Sequence, residues 1–215
     1  MIAGPGDDCA VLQPRKGTRL VATTDALVEG VHFDLSVSRA EDAGHKALAA
    51  NLSDLAAAGA RPRWFLCALG VPRVPRSLWP VLLGTARALG SGMARLARAQ
   101  RIALVGGNVT SASGWSITIT ALGEARTPLS RRGAKPGDVL VLAGAVGSAA
   151  LGLRLLRGDP AVRDAGGEAE NLATGAARAA IGAQLRPRPL VAAGLAAAPF
   201  AAAAIDVSDG LLKDL

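Results

Sequence analysis

The sequence has no tyrosine, and aromatic residues make up only 3% of its 215 positions. That scarcity predicts slim helices lying on aliphatic strands, and it removes the stacking surfaces that single-stranded nucleic acids need. Cysteine is almost as rare. Cys9 and Cys67 are too few and too far apart for a zinc site or a disulfide framework, so two thiols in a reducing compartment are expected. Long apolar runs are missing too. The longest, Ala192 to Ile205, is mostly alanine and is broken by Pro199, which excludes a membrane span at that place. No secretory leader is expected, because the chain goes from Met1 almost directly into Gly4-Pro5-Gly6-Asp7-Asp8. These absences predict a soluble, cytoplasmic protein with no membrane partner.

Charge is present but dispersed. The net charge of +7 invites a nucleic-acid reading, yet the arginines are scattered from Arg15 to Arg188 without a dense run. The aspartates, by contrast, gather in short motifs. A basic body around acidic pockets fits a protein that binds anions through metal ions, and no nucleic-acid partner is expected.

The length suffices for one large or two small domains with a real core. Arg19 to Thr24 reads as a strand ending at Asp25. Ser38-Arg39-Ala40-Glu41 has the pattern of a capping box and predicts a helix through Leu55 that stops at Gly59. Further strands are expected over Trp64 to Val71, Ile102 to Val105 and Trp115 to Leu122, with a helix over Ser77 to Gln100. The short strand at Ile102 is expected to run into a turn at Gly106-Gly107-Asn108. A domain boundary is expected near Thr127-Pro128, giving parts 1–127 and 128–215. In the second part, Asp138 to Leu142 and Ala201 to Val207 read as strands, Ser148 to Arg157 as a helix, and Gly158 to Asn171 as a mobile loop. Strands alternating with helices predict α/β (α+β) architecture: a mixed sheet with packed helices, then a second α/β domain that is incomplete, ending inside a new helix.

The candidate chemistry lies in four aspartate motifs at element ends: Gly6-Asp7-Asp8, Thr23-Thr24-Asp25, Asn51-Leu52-Ser53-Asp54 and Asp206-Val207-Ser208-Asp209. Hard oxygen ligands suit Mg²⁺, which takes one or two carboxylates per ion together with waters and phosphate oxygens. Asp54 falls near the end of its helix, where the macrodipole disfavours a carboxylate unless a cation sits beside it. Gly106-Gly107 after a strand permits close backbone approach to a phosphate or ribose. Neither a G-x-x-x-x-G-K-[ST] loop nor a protein-kinase glycine loop occurs, so metals and arginines would have to hold any nucleotide.

Taken together and in order, G-P-G-D-D-C-A-V-L, T-T-D-A-L-V-E-G-V-H-F, K-A-L-A-A-N-L-S-D-L-A-A-A-G-A-R-P, G-A-K-P-G-D and I-D-V-S-D-G-L-L-K-D-L resemble the thiamine-monophosphate kinase family. G-D-D and S-D-G alone fit its wider superfamily of aminoimidazole ribonucleotide synthetase, selenophosphate synthetase and the hydrogenase-maturation dehydratase. The resemblance implies an ATP-binding domain that dimerises through its sheet into a homodimer, followed by a second domain. It implies ATP and thiamine monophosphate as ligands, and Asp8, Thr23, Thr24, Asp25, Asp54, Asp206 and Asp209 around several Mg²⁺ ions. Gly107, Arg131 and Ser208 would contact ATP. His32, which read alone is an ordinary structural histidine beside Phe33, would face the substrate phosphate. Where the family has Gly-Gly-Asp this chain has Gly107-Asn108. Asn108 is thus expected at both nucleotide and metal, holding one ion more weakly. No residue is expected to act as a general base. The family's later G-G-E-D-Y-E-L-like block does not occur, which implies an incomplete acceptor pocket. The alternatives are a sister ATP-dependent enzyme of the superfamily or a catalytically impaired remnant. Selenophosphate synthetase is disfavoured because Cys9 follows the G-D-D motif, and the dehydratase because no cysteine ends the chain.

Overall fold

A computed structural model describes residues 2, 9–160 and 175–215. Four strands, β1 (Arg19–Val28), β2 (Arg61–Pro72), β3 (Ala103–Ala112) and β4 (Ser116–Ala125), form one sheet in the order β1-β4-β2-β3. β4 is antiparallel to both β1 and β2, while β2 and β3 are parallel. Parallel neighbours need a crossover, and α2 (Trp79–Gln100) supplies it. α1 (Ala40–Ala57) joins β1 to β2 and lies across the sheet, with α2 packed against it. The chain is therefore the mixed α/β fold expected, and among the described residues only these two helices cover the sheet, both on one face.

Alternation decides which side chains face the helices. Along β4, Ile117, Ile119 and Ala121 are fully buried and meet Leu48, Leu52 and Leu55 of α1 in the core. Along β1, Val21, Thr23, Asp25 and Leu27 turn toward the helix side, while Leu20, Thr24 and Val28 lie on the open face.

Glycine lets α1 and α2 approach closely. A Cβ on Gly44 would lie 2.0 Å from the Leu89 carbonyl oxygen, and one on Gly92 would lie 1.9 Å from that of Glu41. Gly84, also in α2, faces open space. The two glycines therefore respond oppositely to alanine. Gly84→Ala is expected to stabilise by about 0.5–1 kcal/mol through helix propensity. Gly92→Ala should destabilise by at least about 1–3 kcal/mol, because it forces the helices apart. Thermal unfolding of the two variants reads both signs.

Several sequence expectations shift in place. α1 begins at Ala40, and Ser38 does not cap it; its hydroxyl donates to the Asp34 carbonyl at 2.5 Å. Gly59 does terminate the helix, at φ +62°. Asp25 lies inside β1, not at its end. Gly106-Gly107-Asn108 lies in the middle of β3, paired with Leu66-Cys67-Ala68, and forms no turn. Residues 138–142 and 201–207 are irregular; among the described residues no strand stands beside them to complete a ladder. The second part contains α3 (Ser148–Leu156), α4 (Gly175–Leu185), α5 (Val191–Ala197) and the short α6 (Leu211–Asp214). The mobile loop expected over 158–171 falls largely outside the described residues.

Candidate active site

A cleft of about 290 Å³ opens where four segments meet: β1 at Val21 to Thr23, the last turn of α1 at Asp54 to Ala58, residues 129–131, and residues 204–206. Backbone hydrogen bonds hold the last two segments in place. The Leu129 N–H donates to the Ala58 carbonyl at 3.0 Å, and the Ala204 N–H to the Ser130 carbonyl at 3.0 Å. α5 backs this arrangement against α1, with Gly194 so close that a Cβ would sit 2.1 Å from the Ala56 carbonyl oxygen.

Three carboxylates from three segments sense one another here. Burial pushes the Asp25 carboxyl above its ordinary range, and repulsion from Asp206 adds to that; His32, when protonated, opposes it. Asp54 is raised first by burial and then by Asp25, against a donated hydrogen bond from the Thr23 hydroxyl and the pull of Arg131. Asp206 is raised by burial and by Asp54, with the Ser53 side chain and Arg131 working the other way. Among the described residues only one guanidinium, on the exposed Arg131, opposes this negative charge at Asp54 and Asp206. No basic residue lies in the last turn of α1, so the helix dipole also goes uncompensated at Asp54.

This donor set fits a hard divalent cation. The polar side chains on the cleft are oxygen donors apart from Arg131, with no thiol or imidazole among them. Among the described residues, no three of His, Cys, Asp and Glu are gathered tightly enough to cage an ion by themselves. Mg²⁺ fills most of its octahedron with water and phosphate oxygens and needs only one or two carboxylates.

Of the residues singled out in the sequence, Thr23, Asp25, Asp54, Asp206 and Arg131 come together. His32 stands beside them in the turn after β1, where its Nδ1 accepts the Val28 N–H at 3.1 Å and leaves Nε2 as the donor. Asp8 lies outside the described residues. The others lie elsewhere. Thr24 is on the open face, its hydroxyl donating to the Ile119 carbonyl at 3.0 Å, because adjacent strand residues point to opposite sides. Asp209 is exposed and bonded to Lys213, and the N–H groups of Ser208, Asp209 and Gly210 converge on the Asp214 carboxylate at 2.8–3.2 Å. Gly107 and Asn108 lie on β3, the far edge of the sheet, about 14 Å from β1 at ordinary strand spacing. Gly107 has a packing reason to be glycine: a Cβ there would meet the Cys67 carbonyl oxygen at 2.0 Å. The sequence reading missed Ser53, which steadies Asp206, although its place beside Asp54 in the motif offered a signal. It also missed the backbone of residues 129–130 as a wall of the cleft.

Comparisons with known proteins agree in direction. Residues 6–125 match the family described as AIR synthase related protein, N-terminal domain. Thiamine-monophosphate kinase of Bacillus subtilis is 36% identical over 216 residues, covering 99% of this chain and 62% of its own length. The crystal structure of thiamine-monophosphate kinase from Stenotrophomonas maltophilia is 41% identical with a TM-score of 0.79, over 100% of this chain and 64% of its own. A structure of AaThiL complexed with AMPPCP and TMP is 29% identical with a TM-score of 0.80, over 94% of this chain and 60% of its own. The chain thus spans somewhat over 60% of the length of these kinases. With more than half its residues matched by one family and a sheet-and-helix layout shared with the solved relatives, it belongs to the AIR synthase-related family.

Proposed function

We propose that this protein binds ATP with Mg²⁺ in the carboxylate cleft and phosphorylates thiamine monophosphate to thiamine diphosphate by direct in-line transfer. The observation that carries this reading is the convergence of Asp25, Asp54 and Asp206 from three separate segments, opposed by little positive charge. The AMPPCP and TMP named for the solved relative point to the same pair of ligands.

The chemistry suits these residues. The acceptor is a phosphate monoester whose second pKa is about 6, so it is mostly dianionic at neutral pH and needs no general base. One of its phosphate oxygens bonds to the γ-phosphorus as the bond from γ-phosphorus to the bridging oxygen breaks, and ADP leaves with that electron pair. The remaining obstacle is repulsion between two anions. When bound, Mg²⁺ supplies charge neutralisation at the phosphate oxygens. Asp25, Asp54 and Asp206 would share several such ions, one or two carboxylates to each, with Thr23 orienting Asp54 and Ser53 orienting Asp206. Arg131 would offer a guanidinium to the nucleotide phosphates, and His32 would present Nε2–H to the acceptor. The parts 1–127 and 128–215 would act as nucleotide domain and partial second domain.

A homodimer belongs to the same reading. Among the described residues no helix covers one face of the sheet, where Leu20 and Val28 of β1 are exposed, an apolar surface suited to a second sheet. No helix among the described residues is long and apolar enough to cross a membrane, in keeping with cytoplasmic residence.

Calorimetric titration of ATP, with and without Mg²⁺, tests the proposal. Binding should require the metal, and equal affinity in EDTA would overturn it. Sedimentation of the same sample should give a dimer; a monomer at tens of micromolar would remove the dimer from the reading.

A further inference from the structure

Lys46 lies on α1, half-buried, and its Nζ donates to the His32 carbonyl oxygen at 3.1 Å. Among the described residues it has no carboxylate within ion-pair distance. An ammonium has three N–H donors, and the described residues take up one of them. Burial alone depresses its pKa, with no neighbouring carboxylate countering the effect. Its bond to His32 is solvent-exposed and its desolvation only partial, yet a cation held there without a counter-charge still calls for a reason.

Its location suggests the reason. Lys46 and Ser53 are seven residues apart on α1, which puts them within about 20° of one face and about 10 Å apart along the axis. Ser53 is the residue bonded to Asp206, and Asp54 follows it, so the stripe below Lys46 leads into the cleft. The neighbour that Lys46 holds, His32, is close enough to Asp25 to affect its ionisation. Lys46 is therefore one step beyond the carboxylates. It is near enough to share their ligand and far enough not to be neutralised by them. With His32 Nε2–H it makes a pair of donors for which the described residues supply no anion.

We propose that Lys46 is a binding residue for the acceptor's phosphate, its Nζ donating to a terminal oxygen of the phosphate monoester beside His32 Nε2. This rests on the kinase reading and adds to it the group that separates a phosphorylated acceptor from an unphosphorylated one. Carboxylates and metal would fix the nucleotide; Lys46 would fix the acceptor.

The test titrates thiamine monophosphate, and thiamine as control, into the chain saturated with Mg²⁺ and AMPPCP. Lys46→Met should weaken thiamine monophosphate binding by about 10- to 100-fold, the range of a charge-assisted hydrogen bond. Thiamine and AMPPCP affinities should stay unchanged, the melting temperature should not fall, and Lys46→Arg should recover part of the loss. In the wild-type chain, thiamine monophosphate should protect Lys46 from an amine-acylating reagent, while the exposed Lys16, Lys135 and Lys213 react as before. A structural role in holding the His32 turn would give no such protection. Unchanged thiamine monophosphate affinity in Lys46→Met, or no protection of Lys46, overturns the assignment while leaving the kinase reading intact. Failure of the wild-type chain to take up AMPPCP with Mg²⁺ overturns both.

Discussion

Asp54→Asn is expected to do two opposite things: abolish Mg²⁺-dependent ATP binding and raise the melting temperature of the metal-free protein. The first effect should be at least about 100-fold in apparent ATP affinity, since even outer-shell partners of a bound metal cost 10–100-fold when removed. The second follows from the position of Asp54. It is half-buried, faces Asp25, and sits in the last turn of α1 where the dipole repels negative charge. An amide keeps the shape and can still accept the Thr23 hydroxyl, but it carries no charge. Relief of the dipole term alone contributes about 0.3–1 kcal/mol, or roughly 1–4 °C for a chain of this size.

The sign can be checked against pH. A carboxyl raised in the folded state destabilises the fold above its folded pKa, and the penalty fades as pH falls below the ordinary value near 4. The advantage of the asparagine variant should therefore be present where the raised carboxyl is ionised and be lost as pH falls below about 4. Adding Mg²⁺ and ATP should reverse the order, raising the wild-type melting temperature above that of the variant. Calorimetry and thermal unfolding in EDTA and in Mg²⁺ read all of this. A variant that melts lower in EDTA, or keeps Mg²⁺-dependent ATP affinity, would contradict the role given to Asp54.

Much of the first part was legible because its signals are local. The apolar alternation of Ser116 to Leu122 marks β4, and Gly59 at positive φ marks the end of α1. Asp25 and Asp206 are ordinary carboxylates when read alone, and only Asp54, near a helix C-terminus, is hard to justify singly. The acidic motifs could therefore be read as a set only together and in the order the resemblance gives. What was not legible depends on partners distant in sequence. Ser38 has the letters of a capping residue, yet Asp34 offers its carbonyl first. Gly106-Gly107-Asn108 has the letters of a turn, yet β2 needs those residues as a strand, and the glycine relieves a backbone contact with Cys67. Thr24 is chemically identical to Thr23 but one residue out of phase, and strand geometry sends it to the other face. The run Val139 to Leu142 has strong strand propensity, but propensity alone does not form a ladder without a neighbour.

The contacts that residues 186–194 make with α1 explain why Asp206 reaches the cleft at all. Asp42, in the first turn of α1, is buried and paired with Arg186, just past the end of α4. One turn along, His45 Nε2 meets the Pro187 carbonyl at 2.9 Å. Pro187 and Pro189 disfavour helix in this stretch, so it crosses α1 extended and delivers α5 to Gly194 against Ala56. Residues 204–206 follow from there. Arg186→Ala should therefore be costly, because it leaves a carboxylate at 7% exposure without its cation. Breaking a fully buried pair costs about 3–5 kcal/mol. Arg186 is itself about half exposed, so roughly 2–3 kcal/mol is expected here, a drop of about 5–10 °C in melting temperature. Adding Asp42→Asn to the Arg186→Ala variant should recover part of the loss, because it removes the stranded charge. Mg²⁺-dependent ATP affinity should weaken several-fold in the single variant through misplacement of Asp206, with its metal dependence intact. A single variant that melts within 1 °C of wild type would mean that the ion pair does not hold the two parts together.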